Sequence, residues 1–230
     1  MKKIIVKKFD NKKNIFLKCK KILDIEVRKN NNIIISGGKT YYDFYKILSK
    51  DPISSDLNLF LSDERLVYKK KKLVNLFNIK NIFLKEGRKL PNFFFDIKNE
   101  NLKNKNNLLN KVKLNFSKIP NNISLAFLGV GEDGHIASIF QDNIIYCKKE
   151  PFFISKNLSE EFYRLSFTFD YLKKIDQIIF VLFGKKKKIL IKKINKNKYF
   201  KIYDLRNLYN FSEMQKDKIK YYSVGRPDIN

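Results

Sequence analysis

The only histidine of this 230-residue chain, His135, lies in the run Leu128-Gly129-Val130-Gly131-Glu132-Asp133-Gly134-His135-Ile136-Ala137-Ser138-Ile139-Phe140. An imidazole titrates near neutrality, so it can take a proton from water and return it, and two carboxylates stand just before this one. Six of the eight glycines (Gly37, Gly38, Gly129, Gly131, Gly134 and Gly184) directly follow predicted strands or lie in the loops after them. Both alanines, Ala126 and Ala137, fall in Leu125–Phe140. In a composition this poor in small residues, the clustering points to positive φ or to close approach of backbone and ligand. Gly129, Gly131 and Gly134 formally spell a G-x-G-x-x-G dinucleotide fingerprint. However, Glu132 and Asp133 stand where a pyrophosphate must lie, and the motif falls in mid-chain.

Two further loops carry chemistry. Ser36-Gly37-Gly38-Lys39-Thr40 feeds a predicted helix whose Thr40 and Asp43 have capping-box spacing, so its free N–H groups form a natural phosphate cradle. A Walker A loop is excluded, because that motif needs glycine where Ile33 stands; a tight turn without ligand stays open. Ser62-Asp63-Glu64-Arg65 places acid, acid and base at a strand end. Taken alone it reads first as a surface ion cluster.

These loops need elements to position them. Apolar runs predict buried strands at Ile33–Ile35, Leu57–Leu61, Ile123–Leu128 and Gln177–Phe183. Between them, helical patterning spans Tyr41–Lys50, Asn101–Phe116 and Lys185–Ile194. The alternation predicts an α/β fold with a parallel sheet, and ligands bind outside the carboxyl ends of such strands. Lys69–Lys72 and Lys98–Lys105 read as solvated insertions, and the chain is expected to form one domain over 1–230.

The net charge of +26 raises nucleic acid as a partner. Yet lysine is spread from Lys2 to Lys220 without an arginine-rich element, and heavy use of Lys, Asn, Ile, Phe and Tyr fits an AT-rich coding sequence; no nucleic acid is expected. Cys19 and Cys147 lack metal or disulfide spacing, so reduced thiols and no metal site are expected. The start carries too short an apolar run for a signal peptide, and no window approaches a membrane span. A cytoplasmic protein without a membrane partner is the expectation.

In order along the chain, Ser36-Gly37-Gly38, Asp63-Glu64-Arg65, Gly129-x-Gly131-x-Asp133-Gly134-His135-x-Ala137-Ser138-x-Phe140, Arg164-x-Ser166-x-Thr168 and Gly184-x-x-Lys187 resemble the motifs of 6-phosphogluconolactonases. The resemblance implies a modified Rossmann-like, doubly wound and mainly parallel sheet flanked by helices, shared with glucosamine-6-phosphate deaminases. The deaminases are the rival reading. They typically continue Asp-Gly-His toward Phe-Asn-Glu and rarely have Arg after Asp-Glu, whereas this chain has Ala137-Ser138-Ile139-Phe140 and Arg65.

For the site, the resemblance implies cofactor-free and metal-free hydrolysis of a small-molecule sugar-phosphate lactone in the oxidative pentose phosphate pathway. His135 is the implied general base, Asp133 its partner, and Arg65 the group that positions substrate or stabilises the oxyanion. Ser36, Gly37, Gly38, Lys39 and Thr40 would grip the phosphate, with Asp63, Arg164 and Lys187 completing the substrate site. Alternatively Arg164 pairs with a carboxylate in Ser159–Glu161, and Lys187 is one of four consecutive lysines. Lys39 and Tyr41 depart from the family's usual Ser and Pro. Tyr203–Asn230 carries no matching motif, and the oligomeric state is not encoded legibly.

Overall fold

The computed structural model of the protein describes residues 11–67, 70–85, 89–94, 104–118, 122–140, 150–157, 160–183, 202–203 and 221–222. They fall into two compact units. The larger comprises 20–131 and 135–181. The smaller includes the first half of helix α1 (Lys12–Val27), residues 132–134 and 182–183, and a short parallel pair, β9 (Ile202–Tyr203) with β10 (Tyr221–Tyr222). Within it Phe16 and Phe183 meet edge to face at 5.9 Å.

The larger unit is built on a five-stranded, all-parallel sheet. Its strands are β1 (Asn32–Ile35), β2 (Asn58–Leu61), β4 (Asn92–Phe94), β5 (Leu125–Gly129) and β8 (Gln177–Val181). They lie in the order β4-β2-β1-β5-β8. The order runs outward from β1 in both directions, so it reverses between β1 and β5, the topological switch point where such sheets open a crevice. β1, all four residues of which are buried, is apolar except for Asn32, as a strand covered on both faces must be.

Alternation along the strands sends side chains to two cores. Phe127 projects toward the 3-10 turn Lys39–Tyr41 and helix α2 (Tyr42–Ser49), meeting Phe44 at 4.9 Å and Tyr41 at 6.2 Å. Ile34, Phe60, Ala126 and Leu128 belong to the other core, with Leu108 and Val112 of helix α4 (Lys105–Ser117) and Phe152, Leu165 and Phe167 of a second sheet. Burying aromatic side chains of this size is worth about 1.5–3 kcal/mol each. Tyr41 is fully buried, and its hydroxyl hydrogen is shared between the carbonyl oxygens of Leu128 and Ile179, each 3.0 Å away.

The four strands predicted from sequence are present with ends moved by a residue or two, and two of the three predicted helices are found as α2 and α4. The third, Lys185–Ile194, lies outside the described residues. Lys70, Lys71 and Lys72 are exposed, as a solvated insertion requires. Two expectations are corrected. Thr40 does not cap a helix: Gly38 precedes the 3-10 turn, Tyr41 precedes α2, and neither cap position makes a side-chain hydrogen bond. Asp63-Glu64-Arg65 is not a loop but strand β3 (Asp63–Leu66), paired antiparallel with β7 (Tyr163–Phe167), which in turn pairs with β6 (Phe152–Lys156). Both carboxylates are tolerated in a strand because Arg164 pairs with Asp63 and the backbone N–H groups of Asn75 and Leu76 donate to Glu64.

Candidate active site

The chain leaves the parallel sheet at Ser62. Ser62 N donates to Ile35 O at 2.8 Å, tying the ends of β2 and β1, and Phe167 N donates to Ser62 O at 3.0 Å, tying in β7. The next residue, Asp63, is 8% exposed and has both carboxylate oxygens engaged. Oδ1 accepts from Ser62 Oγ at 3.1 Å; Oδ2 accepts from Ser138 Oγ at 2.6 Å and from Arg164 Nη1 at 3.3 Å. Asp63 therefore anchors two elements to β3.

Ser138 is the anchor of the histidine segment. Besides its bond to Asp63, its N–H donates to Ser166 Oγ at 3.1 Å and its carbonyl accepts from Ser155 Oγ at 3.2 Å. Those tethers hold a strained turn: Ala137 has φ of 51°, a left-handed conformation disfavoured for any residue with a Cβ, and Gly134 has φ of 95°. Within the larger unit the turn is closed by Gly131 N donating to His135 O at 2.8 Å, and the His135 ring packs 4.8 Å from Phe140. His135 is half-buried, and Asp133 is exposed at the tip of the segment.

β3 and β7 set the two arginines directly opposite each other, Arg65 across from Arg164. Both guanidiniums lie over the Phe162 ring, at 5.9 and 5.5 Å from its centre, and Arg164 also lies 5.9 Å from the Phe140 ring. Their partners differ. Arg164 is 8% exposed; Glu160 grips it through Nε at 2.7 Å and through Nη2, and Asp63 takes Nη1. Burial opposes its charge, but these two carboxylates hold its pKa above the usual arginine value. The pairing with Ser159–Glu161 weighed from sequence is thus present, through Glu160. Arg65 instead spends Nη1 on Leu73 O at 3.2 Å, while its Nε is buried without a hydrogen-bond partner among the described residues. An unpaired buried donor is costly unless a ligand satisfies it.

The glycine loop after β1 lies at the switch point. Ser36 is buried, and its carbonyl accepts from the Tyr45 hydroxyl. A Cβ on Gly129 would sit 3.2 Å from Ser36 Oγ, so the loops after β1 and β5 approach backbone to side chain across the crevice. Gly37 is buried, whereas Gly38 and Lys39 are exposed and Thr40 is half-buried. Lys39 and Thr40 open the 3-10 turn, where N–H groups lack intrahelical acceptors. Lys187 lies outside the described residues.

Sequence reasoning left Glu64 without a role. It is 3% exposed and its carboxylate takes Arg65 N at 2.6 Å and, at the N-terminus of helix α3 (Asn75–Leu84), Asn75 N and Leu76 N, each at 2.8 Å. Burial outweighs these donors and pushes its pKa up to about 7. A carboxyl raised in the folded state binds its proton more tightly there than in the unfolded chain. Stability from this group is therefore greatest below the usual carboxylate range and falls as pH rises from about 4.5 to about 7. We expect the unfolding free energy of the wild type minus that of Glu64→Gln, measured in urea, to decrease across that window. A difference independent of pH would contradict the assignment. Cys19 is also buried, and burial pushes its thiol up to about 12, leaving it protonated and unreactive. Cys147 is outside the described residues. Among the described residues no group of three His, Cys, Asp or Glu side chains could hold a metal, and no helix is long and apolar enough to cross a membrane.

A parallel sheet with its strand order reversed between two glycine loops, and a half-buried histidine tethered to an arginine-bearing strand, define an α/β protein with a crevice at its topological switch point. The chain belongs to the glucosamine-6-phosphate isomerases/6-phosphogluconolactonase family, whose model matches residues 13–201. The fold is that of a 6-phosphogluconolactonase from Shewanella baltica (TM-score 0.71, 16% identity, covering 96% of this chain and 98% of that one). It is equally that of one from Thermotoga maritima (TM-score 0.70, 20% identity, 97% and 99%). A third, from Trypanosoma brucei, gives a TM-score of 0.67 at 16% identity, covering 97% and 96%. No curated protein sequence matches the chain.

Proposed function

We propose that the chain works as a single lactonase domain that hydrolyses 6-phospho-D-glucono-1,5-lactone to 6-phospho-D-gluconate, a step of the oxidative pentose phosphate pathway in the cytoplasm. The observation that carries this reading is the Ser138–Asp63 bridge, which ties the histidine segment to the strand bearing Arg65. A base and a cation are thereby fixed on one buried network, as acyl hydrolysis requires.

In this mechanism His135 takes a proton from water as the water oxygen bonds to C1, and the carbonyl oxygen becomes an oxyanion. Arg65, whose buried Nε lacks a partner among the described residues, supplies charge and a donor to that oxyanion. The tetrahedral species then breaks its bond from C1 to the ring oxygen, and the His135 imidazolium returns the proton to that oxygen. Asp133 is assigned the orientation of the imidazole, on the strength of its place two residues before it. Ser36 to Thr40 hold the phosphate through backbone N–H groups, with Lys39 and Lys187 adding charge. The reaction as written consumes only water.

The matched family also spans glucosamine-6-phosphate isomerases, so the test must separate the two chemistries. We expect acid release from freshly generated phosphorylated lactone above its spontaneous rate, and no ammonia from glucosamine 6-phosphate. Ammonia release without lactone hydrolysis would reverse the assignment.

A further inference from the structure

We propose that Asn75, the first residue of α3, is a positioning residue that sets the phosphate loop against the Arg65 strand and so gives selectivity for a phosphorylated over an unphosphorylated lactone. The inference rests on the lactonase reading for its substrate, and on the geometry of one buried side chain for the rest. Asn75 is 6% exposed. Its Nδ2 donates to Asp63 O at 3.1 Å, and its N–H donates to Glu64 Oε1, the oxygen that also accepts Arg65 N. Two successive residues of β3 are therefore bonded to Asn75, and the third, Arg65, shares its carboxylate oxygen.

The same side chain reaches the phosphate loop. A Cβ built on Gly37 would overlap Asn75 Cβ, Cγ and Nδ2, so the amide occupies the space that any larger residue at 37 would need. Gly37 is glycine here because Asn75 lies against its backbone. Glu64 meanwhile fills the N-terminus of α3 by accepting from Asn75 N and Leu76 N, which removes that helix end as a competing anion site. The consequence is a division of labour. The α3 terminus is spent on holding Asn75, and Asn75 fixes how far the Ser36–Thr40 loop stands from β3. Removing the amide lets the loop relax away from the position at which its N–H groups meet a phosphate, while the histidine segment, held through Ser138, keeps its place.

The test compares two substrates on the full chain. In Asn75→Ala we expect kcat/KM for 6-phosphogluconolactone to fall about tenfold, and kcat/KM for unphosphorylated glucono-1,5-lactone to stay within about twofold. Affinity for inorganic phosphate, titrated calorimetrically, should fall by a similar factor. Equal losses on both lactones, or no loss of phosphate affinity, would overturn the proposal and leave Asn75 a packing residue. If the wild type hydrolyses neither lactone but binds phosphate, the lactonase reading fails while the phosphate titration of Asn75→Ala still decides this one; a wild type that binds no phosphate overturns both. A second variant guards against simple misfolding. Gly37→Ala, whose added Cβ would overlap Asn75 and so displace the loop, should impair the phosphorylated substrate selectively, and an equal loss on both lactones there would also overturn the proposal.

Discussion

His135→Ala is expected to lower the rate of lactone hydrolysis at least about 100-fold, the scale of a lost general base. The expectation follows from how the side chain is held. Its segment is closed by Gly131 N on His135 O, its ring rests on Phe140, and three residues on, Ser138 is bonded to three different elements. A base fixed in this way needs no reorganisation as it takes the proton, so its contribution resides in the transition state and appears in kcat. His135→Gln, which keeps hydrogen-bonding capacity but cannot cycle a proton at neutral pH, should be impaired nearly as much. Stopped-flow acid release with lactone generated in place would measure both. Wild-type rates in either variant would remove His135 from the mechanism and leave the arginine strand alone to account for any activity.

The strands of the parallel sheet other than β4 were legible because each is a short apolar run ended by a polar or glycine-bearing loop, and burial on both faces makes such runs conspicuous. The same rule hid the antiparallel sheet. β3 begins Asp63-Glu64-Arg65, which in isolation describes a solvated loop; it is a strand because Ser138 and Arg164 neutralise Asp63 and the α3 N-terminus receives Glu64. Local propensity lost to tertiary pairing. Helix α1 was missed because its buried side chains, Ile15, Phe16, Cys19 and Leu23, are diluted by Lys12, Lys13, Lys18, Lys20 and Lys21. Glycine positions marked the loops after β1 and β5, which the fold brings together at the switch point. Asn75 gave no such signal, since its importance lies in the Gly37 backbone it packs against, far away in sequence.

The arrangement also decides what holds the site together. Asp63→Ala removes the acceptor of the Ser138 hydroxyl and of Arg164 Nη1 at a position 8% exposed. It leaves a buried guanidinium with Glu160 alone and a buried hydroxyl with none of its former acceptor. Breaking a buried ion pair from one side costs about 3–5 kcal/mol, and Glu160 should keep the loss near the lower end, about 3 kcal/mol. Asp63→Asn retains a carbonyl oxygen for Ser138 while losing the charge opposite Arg164, so it should cost less. If the Ser138 bond is what couples Asp63 to the histidine segment, the losses from Asp63→Ala and Ser138→Ala will be non-additive, the double variant losing less than their sum. Urea midpoints of the three variants measure this. A loss below about 1 kcal/mol in Asp63→Ala, the value of an exposed pair, would mean that Glu160 alone satisfies Arg164. The strained Ala137 turn would then be held by Ser155 and Ser166 without help from the arginine strand, and the two parts of the site would be mechanically independent.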